Sequence, residues 1–252
     1  MSIGYDYSCT TLSQEGRIYQ LEYAEKAIEV APTVVGIVFS DGVVLASEKI
    51  RERKTIVAGS NSTIYNITPT IGMAICGHLP DGRNLVSRAR AESQSYLKNF
   101  GVDISGRILS DRLAQYMQSH TLYWGMRPFG ASAFISSYDK DGNYHLYLVE
   151  ANGNFCEYYS CTHGKGRQFV KTEVEKSNFA LKEKKVSEGL FDVVKVLVRS
   201  YEGEKETEYD LSVITNVNNR RDHQIVDKKY ASELIAKAKA EVKQEREMQV
   251  DS

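Results

Sequence analysis

The chain has 252 residues, 42% of them hydrophobic and only four of them proline, enough to bury one sizeable core. A formal charge of -1 gives no electrostatic case for nucleic acid or an anionic membrane, and no apolar run approaches the ~20 residues that span a bilayer. The first residues, Met1 to Asp6, show no basic region followed by an apolar one, so no secretory signal is expected; Cys9, Cys76, Cys156 and Cys161 lack paired ligand spacing and suit reduced thiols in a cytosolic protein.

The first segment, through Thr11, has too little apolar surface to pack alone. Ser13 is placed to cap a helix whose apolar stripe runs Ile18, Leu21, Ala24, Ala27 and Ile28. A mobile aromatic and acidic tip, Tyr5-Asp6-Tyr7, on a rigid helix suits a lid, a gate or a docking arm. Val34 to Phe39 and Val43 to Ala46, joined by Ser40-Asp41-Gly42, read as a hairpin covered on both faces. Strand signals follow at Ile64 to Ile67 and Ile71 to Cys76. Helical patterns then run from Pro80 to about Leu97 and from Ser105 to Tyr123.

Three strands are expected at Ala131 to Tyr138, Tyr144 to Glu150 and Phe155 to Ser160, with turns rich in Asp, Asn and Gly between them. Leu190, Val193, Val194, Leu197 and Val198 form a strong helical stripe. A last strand, Asp210 to Thr215, precedes a charged terminal helix with Ala231, Leu234, Ile235, Ala238 and Val242 on one side. This order suits an α+β fold of two stacked sheets between helical layers, a four-layer αββα sandwich in one domain.

No catalytic motif stands out. There is no Gly-x-Ser-x-Gly elbow, and His78, His120, His145, His163 and His223 lack zinc-ligand spacing, so no metal or cofactor is expected. His120, on an apolar helical face, reads as a satisfied core group. Gly164-Lys165-Gly166 has the wrong spacing for a phosphate loop and reads as a strand-to-helix turn. Asn61-Ser62-Thr63 and Asn66-Ile67-Thr68 read as chance sequons, and Lys182-Glu183-Lys184-Lys185 as a solvated charged loop rather than a nuclear-import patch.

Residues 5 to 24, with a Tyr-Asp pair, a Ser-x-x-Gly-Arg turn and Gln-x-Glu-Tyr-Ala, closely resemble the signature of proteasome alpha subunits. The resemblance continues through Val35-Gly36-Ile37, Gly72-Met73-Ala74, Arg127-Pro128-Phe129-Gly130 and Gly164-Lys165-Gly166. His120-Thr121-Leu122-Tyr123 and Ser47-Glu48-Lys49 look most like the alpha-7 class, also called type 3, although the acidic tail of that class is reduced here to Glu245 to Ser252. The resemblance implies the N-terminal-nucleophile hydrolase fold with an added N-terminal helix, a gating leader over residues 1–17 and one domain over 18–252.

It also implies partners: six other alpha subunits, the beta subunits of a 28-subunit barrel, and regulators on the outer face. The expected location is cytoplasm and nucleus, and the expected role is scaffolding and gating of ubiquitin-dependent and -independent protein degradation. Catalytic members use an N-terminal threonine, an acidic residue and a lysine. Aligned through Val35-Gly36-Ile37, the first two positions fall on Pro32 and near Glu48, and the lysine position, aligned through Tyr65-Asn66-Ile67, falls on Thr63, so the chain is expected to be catalytically silent. The alternative is an active N-terminal-threonine hydrolase that matures before Thr33; a free-standing binding protein on the same fold is a third reading.

Tyr5, Asp6 and Tyr23 match the residues that order the open gate in the family, with Tyr7 beside them; Gln14 stands where the family has a proline. Thr63 stands where several alpha subunits carry a lysine that receives the C-terminal carboxylate of an activator, so a weakened pocket is expected.

Overall fold

The computed structural model describes residues 7–51, 53, 55–57, 59–176, 184–201, 203, 206–216 and 220–250. Helix α1 (Tyr19–Glu29) leads into β1 (Val34–Phe39) and β2 (Gly42–Ile50), then β3 (Ile64–Thr68) and β4 (Ile71–Gly77). Helices α2 (Leu79–Phe100) and α3 (Gly106–Leu122) follow. The second half runs β5 (Ala131–Tyr138), β6 (Tyr144–Val149), β7 (Phe155–Glu157), β8 (Ser160–His163), α4 (Arg167–Lys176), α5 (Val186–Ser200), β9 (Thr207–Thr215), β10 (His223–Ile225) and α6 (Lys228–Val250).

Two antiparallel sheets result, ordered β10-β9-β2-β1-β8 and β3-β4-β5-β6-β7. Their central strands are apolar on both sides because both faces are covered. Along β1, Val35, Ile37 and Phe39 pack with Val193, Val194 and Leu197 of α5 and with Leu234 and Ala238 of α6. The alternate residues Val34 and Val38 face inward, onto Phe134, Leu146 and Leu148 of the second sheet. On that sheet's outer face, Ile71, Met73 and Ile75 pack with Leu85, Leu109, Leu113 and Met117 of α2 and α3. Helices, two sheets and helices make the four-layer αββα sandwich that the pattern predicts.

The structure differs from the sequence reading in three places. Phe155 to Ser160 is not one strand. Tyr158 donates its N–H to Leu146 of one sheet at 2.8 Å, whereas the carbonyl of Tyr159 accepts from Val38 of the other at 2.8 Å. The chain changes sheets between these two tyrosines, and because the inner core is apolar on both sides the hydrophobic pattern continues across the break. Ser13 does not cap α1: its Oγ accepts the Arg17 N–H at 3.0 Å and closes a turn in which Gly16 has φ 77°, while the residue before the helix, Ile18, offers no side-chain cap. Strand β10 carries no sequence signal of its own. It is fixed by its ladder to β9 and by the His223 N–H bond to the Pro69 carbonyl at 2.7 Å.

Candidate functional site

The three aligned catalytic positions fall before β1 (Pro32), in β2 (Glu48) and before β3 (Thr63), the first of them at the mouth between the two sheets. Pro32 is half-buried and continuous with Ala31, and its carbonyl lies 3.6 Å from the Cys76 thiol. Thr33 is buried, with its hydroxyl oxygen accepting the Gly166 N–H at 3.0 Å and its backbone N–H donating to Glu48 Oε2 at 3.2 Å. Glu48 is only 4% exposed, and its Oε1 has no hydrogen-bond partner. Burial raises its proton affinity above the ordinary carboxylate value, against the opposing hydrogen bonds from Thr33 and the charge of Lys165. Helix α1 closes the same mouth, seating Ile28 and Ala24 on the inter-sheet core.

The turn at Gly164-Lys165-Gly166 serves this arrangement and has no phosphate-binding geometry. Gly164 has φ 102°, and the Lys165 N–H reaches the Ala31 carbonyl at 2.8 Å. The glycines let the β8–α4 connection pass close to residues 31 to 33, where a Cβ at Gly166 would meet the Thr33 hydroxyl at 2.7 Å.

Thr63 lies just before β3 and is 6% exposed. Both its N–H and its hydroxyl donate to Asp210 Oδ2, at 2.9 and 3.0 Å. Asp210 Oδ1 accepts from Lys49 Nζ at 2.9 Å, and Lys49 also bonds to the Asn61 carbonyl at 2.8 Å and lies 3.6 Å from Glu208. Thr63 therefore sits in a closed polar cluster in which one lysine faces two carboxylates and Asp210 is already paired. Lys49 and Asp210 escape sequence reading because they are 161 positions apart.

Of the leader positions, Tyr5 and Asp6 lie outside the described residues, as do Lys182 and Glu183 of the charged run. Tyr7 is 50% exposed, with its ring centre 5.9 Å from that of Tyr19. Gln14 is exposed in the Ser13–Arg17 turn, and Tyr23 is 36% exposed on α1. Arg17 bridges from that turn to Glu22 with Nε 2.6 Å from Oε1, fixing the angle at which leader meets helix. Sequence reasoning missed the main anchor. Cys9 is buried and its thiol donates to the Met126 carbonyl at 3.3 Å, within 3.6 and 3.9 Å of the carbonyls of His120 and Tyr123. The thiol thus covers carbonyls left over at the end of α3.

The Arg127-Pro128-Phe129-Gly130 segment forms the other side of this anchor. Arg127 grips Asp81 with both terminal nitrogens, at 2.6 and 2.7 Å, and the Gly130 N–H adds a third bond at 2.9 Å. Burial alone would raise the Asp81 proton affinity, but these donors lower it overall. Phe129 packs against His120, which is half-buried rather than in the core and whose Nδ1 lies 2.9 Å from the Tyr116 carbonyl. Among the described residues no group of three or more His, Cys, Asp or Glu is arranged to hold a metal ion, and no helix is long and apolar enough to cross a membrane.

A model described as the proteasome subunit family matches residues 28–215, and one describing the N-terminal signature of A-type proteasome subunits matches residues 5–27. The chain is 42% identical over 238 residues to the proteasome alpha type-3 subunit of Oryza sativa subsp. japonica, covering 94% of this chain and 92% of that one. It is 38% identical over 241 residues to the alpha type-3 subunit of Arabidopsis thaliana, covering 95% and 94%. Identity is 39% over 210 residues to a probable proteasome alpha type-7 subunit of Schizosaccharomyces pombe, covering 83% and 81%. Carrying both the domain and the alpha-type leader signature, this chain belongs to the proteasome subunit family as an alpha-type member.

Proposed function

We propose that this chain is a non-catalytic member of the alpha ring of a 20S proteasome core. It scaffolds the ring beside six other alpha subunits, rests on the beta ring of a 28-subunit barrel, and contributes its leader to the gate over the axial pore. The observation that carries this reading is the occupied mouth of the sandwich. Where a threonine-type hydrolase needs a free amine and hydroxyl, this chain has Pro32, and α1 packs over the opening a substrate would have to enter. Thr63, bonded to Asp210, supplies no cation at the third position.

The leader belongs to the same reading. Cys9 holds it to the end of α3, and the turn at Ser13 to Arg17 sets the angle at which it joins α1, so the leader has a fixed base. An activator that binds the open arrangement of such a leader better than the closed one shifts the population toward open. Regulator docking on the outer face, ubiquitin-dependent and -independent degradation, and residence in cytoplasm and nucleus follow from this assignment as parts of the same proposal.

The alternative, an active hydrolase that matures before Thr33, requires cleavage at a Pro32–Thr33 bond and release of the Thr33 N–H from Glu48. Affinity purification of the tagged chain from its own cells, followed by native mass and subunit composition, tests the proposal. A large barrel containing sibling alpha and beta subunits is expected; a monomer or small oligomer overturns it.

A further inference from the structure

Strand β8 is the outer strand of its sheet, paired with β1 alone among the described residues. The Val38–Tyr159 bond fixes which residues exchange hydrogen bonds across this ladder: Val38 with Tyr159, Gly36 with Cys161 and Val34 with His163. By the alternation of an antiparallel pair, Ser160 and Thr162 then turn their backbone N–H and C=O groups away from β1. Neither residue has another backbone partner among the described residues. An outward row of donors and acceptors is a template for a further strand.

Beside this edge lies a cavity of about 200 Å³, walled by β8, by Leu148 and Tyr158, and by Lys171, Val174 and Glu175 of α4. Thr162 lines it, and the Thr162 hydroxyl oxygen is buried without a partner. A second recess of about 150 Å³ shares Glu150 and His163 with the first and adds Glu25, Glu29 and Arg167. Its charges do not balance. Arg167 is committed to Glu29 at 2.8 Å, and Lys171 lies 4.0 Å from Glu175. Glu25 has no cation within ion-pair distance among the described residues, and the nearest to Glu150 is the His163 ring at 3.9 Å. Burial lowers the proton affinity of His163 and raises that of Glu25, with Glu150 adding to the rise.

We propose that β8 and this trough form a docking site for an extended peptide segment of a protein partner. The segment adds a strand to the edge at Ser160 and Thr162 and places one lysine or arginine side chain between Glu25 and Glu150. The backbone ladder supplies affinity, the uncompensated carboxylates select the basic side chain, and the apolar wall at Leu148 and Val174 takes a neighbouring aliphatic residue. This site lies apart from the leader and from Thr63, and it stands whether or not the ring assignment does.

The test titrates the full chain with acetyl-Thr-Val-Arg-Val-Thr-amide, following backbone amide shifts. Saturable shifts confined to β8, α4 and the end of α1 are expected, with binding roughly tenfold weaker when glutamate replaces the arginine. Ser160→Pro removes only an outward N–H, which an edge strand tolerates, and is expected to weaken binding by about tenfold or more. Glu150→Gln, which leaves the edge untouched, is expected to erase most of the preference for arginine over glutamate. Absence of saturable binding, equal binding of the glutamate peptide, or full binding by Ser160→Pro with an unchanged melting temperature each overturns the proposal. If Ser160→Pro fails to fold, unchanged arginine preference in Glu150→Gln overturns it alone.

Discussion

The backbone N–H of Thr33 donates to Oε2 of Glu48 at 3.2 Å, and the N–H of Glu48 returns to the Thr33 carbonyl at 2.8 Å. The nitrogen that would be the free base of an N-terminal threonine is thereby a peptide donor at the start of a strand ladder. The acidic residue survives as a structural acceptor, with its second oxygen unpartnered.

That orphaned oxygen gives a pH-dependent prediction. The folded-state proton affinity of Glu48 is raised, so its favourable contribution is present below the unfolded carboxylate value of ~4.3 and is lost as pH rises through the folded value. Glu48→Gln removes the ionisation while keeping an acceptor for Thr33. The variant is expected to be more stable than the parent by about 1 kcal/mol near pH 8, with the gap closing toward pH 4, in urea unfolding at both pH values.

His223 gives the opposite dependence. Its ring is buried on Gly72, where a Cβ would stand 2.1 Å away, and burial lowers its pKa to about 4. A depressed histidine stabilises fully above the unfolded value of ~6.5 and progressively less as pH falls toward the folded one. Melting temperature should therefore drop between pH 6.5 and 4, and His223→Gln should flatten that drop. Gly72→Ala is expected to destabilise by roughly 2 kcal/mol or more through overpacking.

The Asp81–Arg127 pair fixes the segment that carries the leader's anchor. Arg127→Ala leaves a largely buried carboxylate with only the Gly130 N–H, at an expected cost of about 1–2 kcal/mol, tempered by the exposure of Arg127. Arg127→Lys should recover only part of this, since an ammonium cannot make both bonds at once. Chemical denaturation of the three proteins checks the order.

Thr63 tests the regulator pocket. Under the proposed ring assignment, a lysine at this position receives an activator's terminal carboxylate, whereas Thr63 is spent on Asp210. Thr63→Lys in assembled complexes is expected to tighten binding of an activator peptide ending in a free carboxylate by about tenfold, and to leave binding of its C-terminal amide unchanged. Equal affinity for both peptides before and after substitution would contradict the pocket assignment.

Much of the fold was legible because burial on both faces writes itself into β1 and β4 as unbroken apolar runs, and into α5 as the stripe from Leu190 to Val198. The sheet change at Tyr158 and Tyr159 was not, since both tyrosines suit a strand and only the identity of their partners differs. Pro32, which has no hydroxyl to offer, was readable at the position before Thr33. The anchors were not: Cys9 meets carbonyls more than a hundred positions away, and Thr63 meets Asp210 across the gap between sheets. Long-range polar contacts of this kind leave no period in a sequence.

The most direct test of the account is the native mass and composition of the particle that carries this chain, read together with the N-terminus of the copy inside it. The account predicts a barrel holding sibling alpha and beta subunits, in which this copy keeps the residues ahead of Thr33. A particle in which the copy begins at Thr33, or a chain found alone, would contradict it.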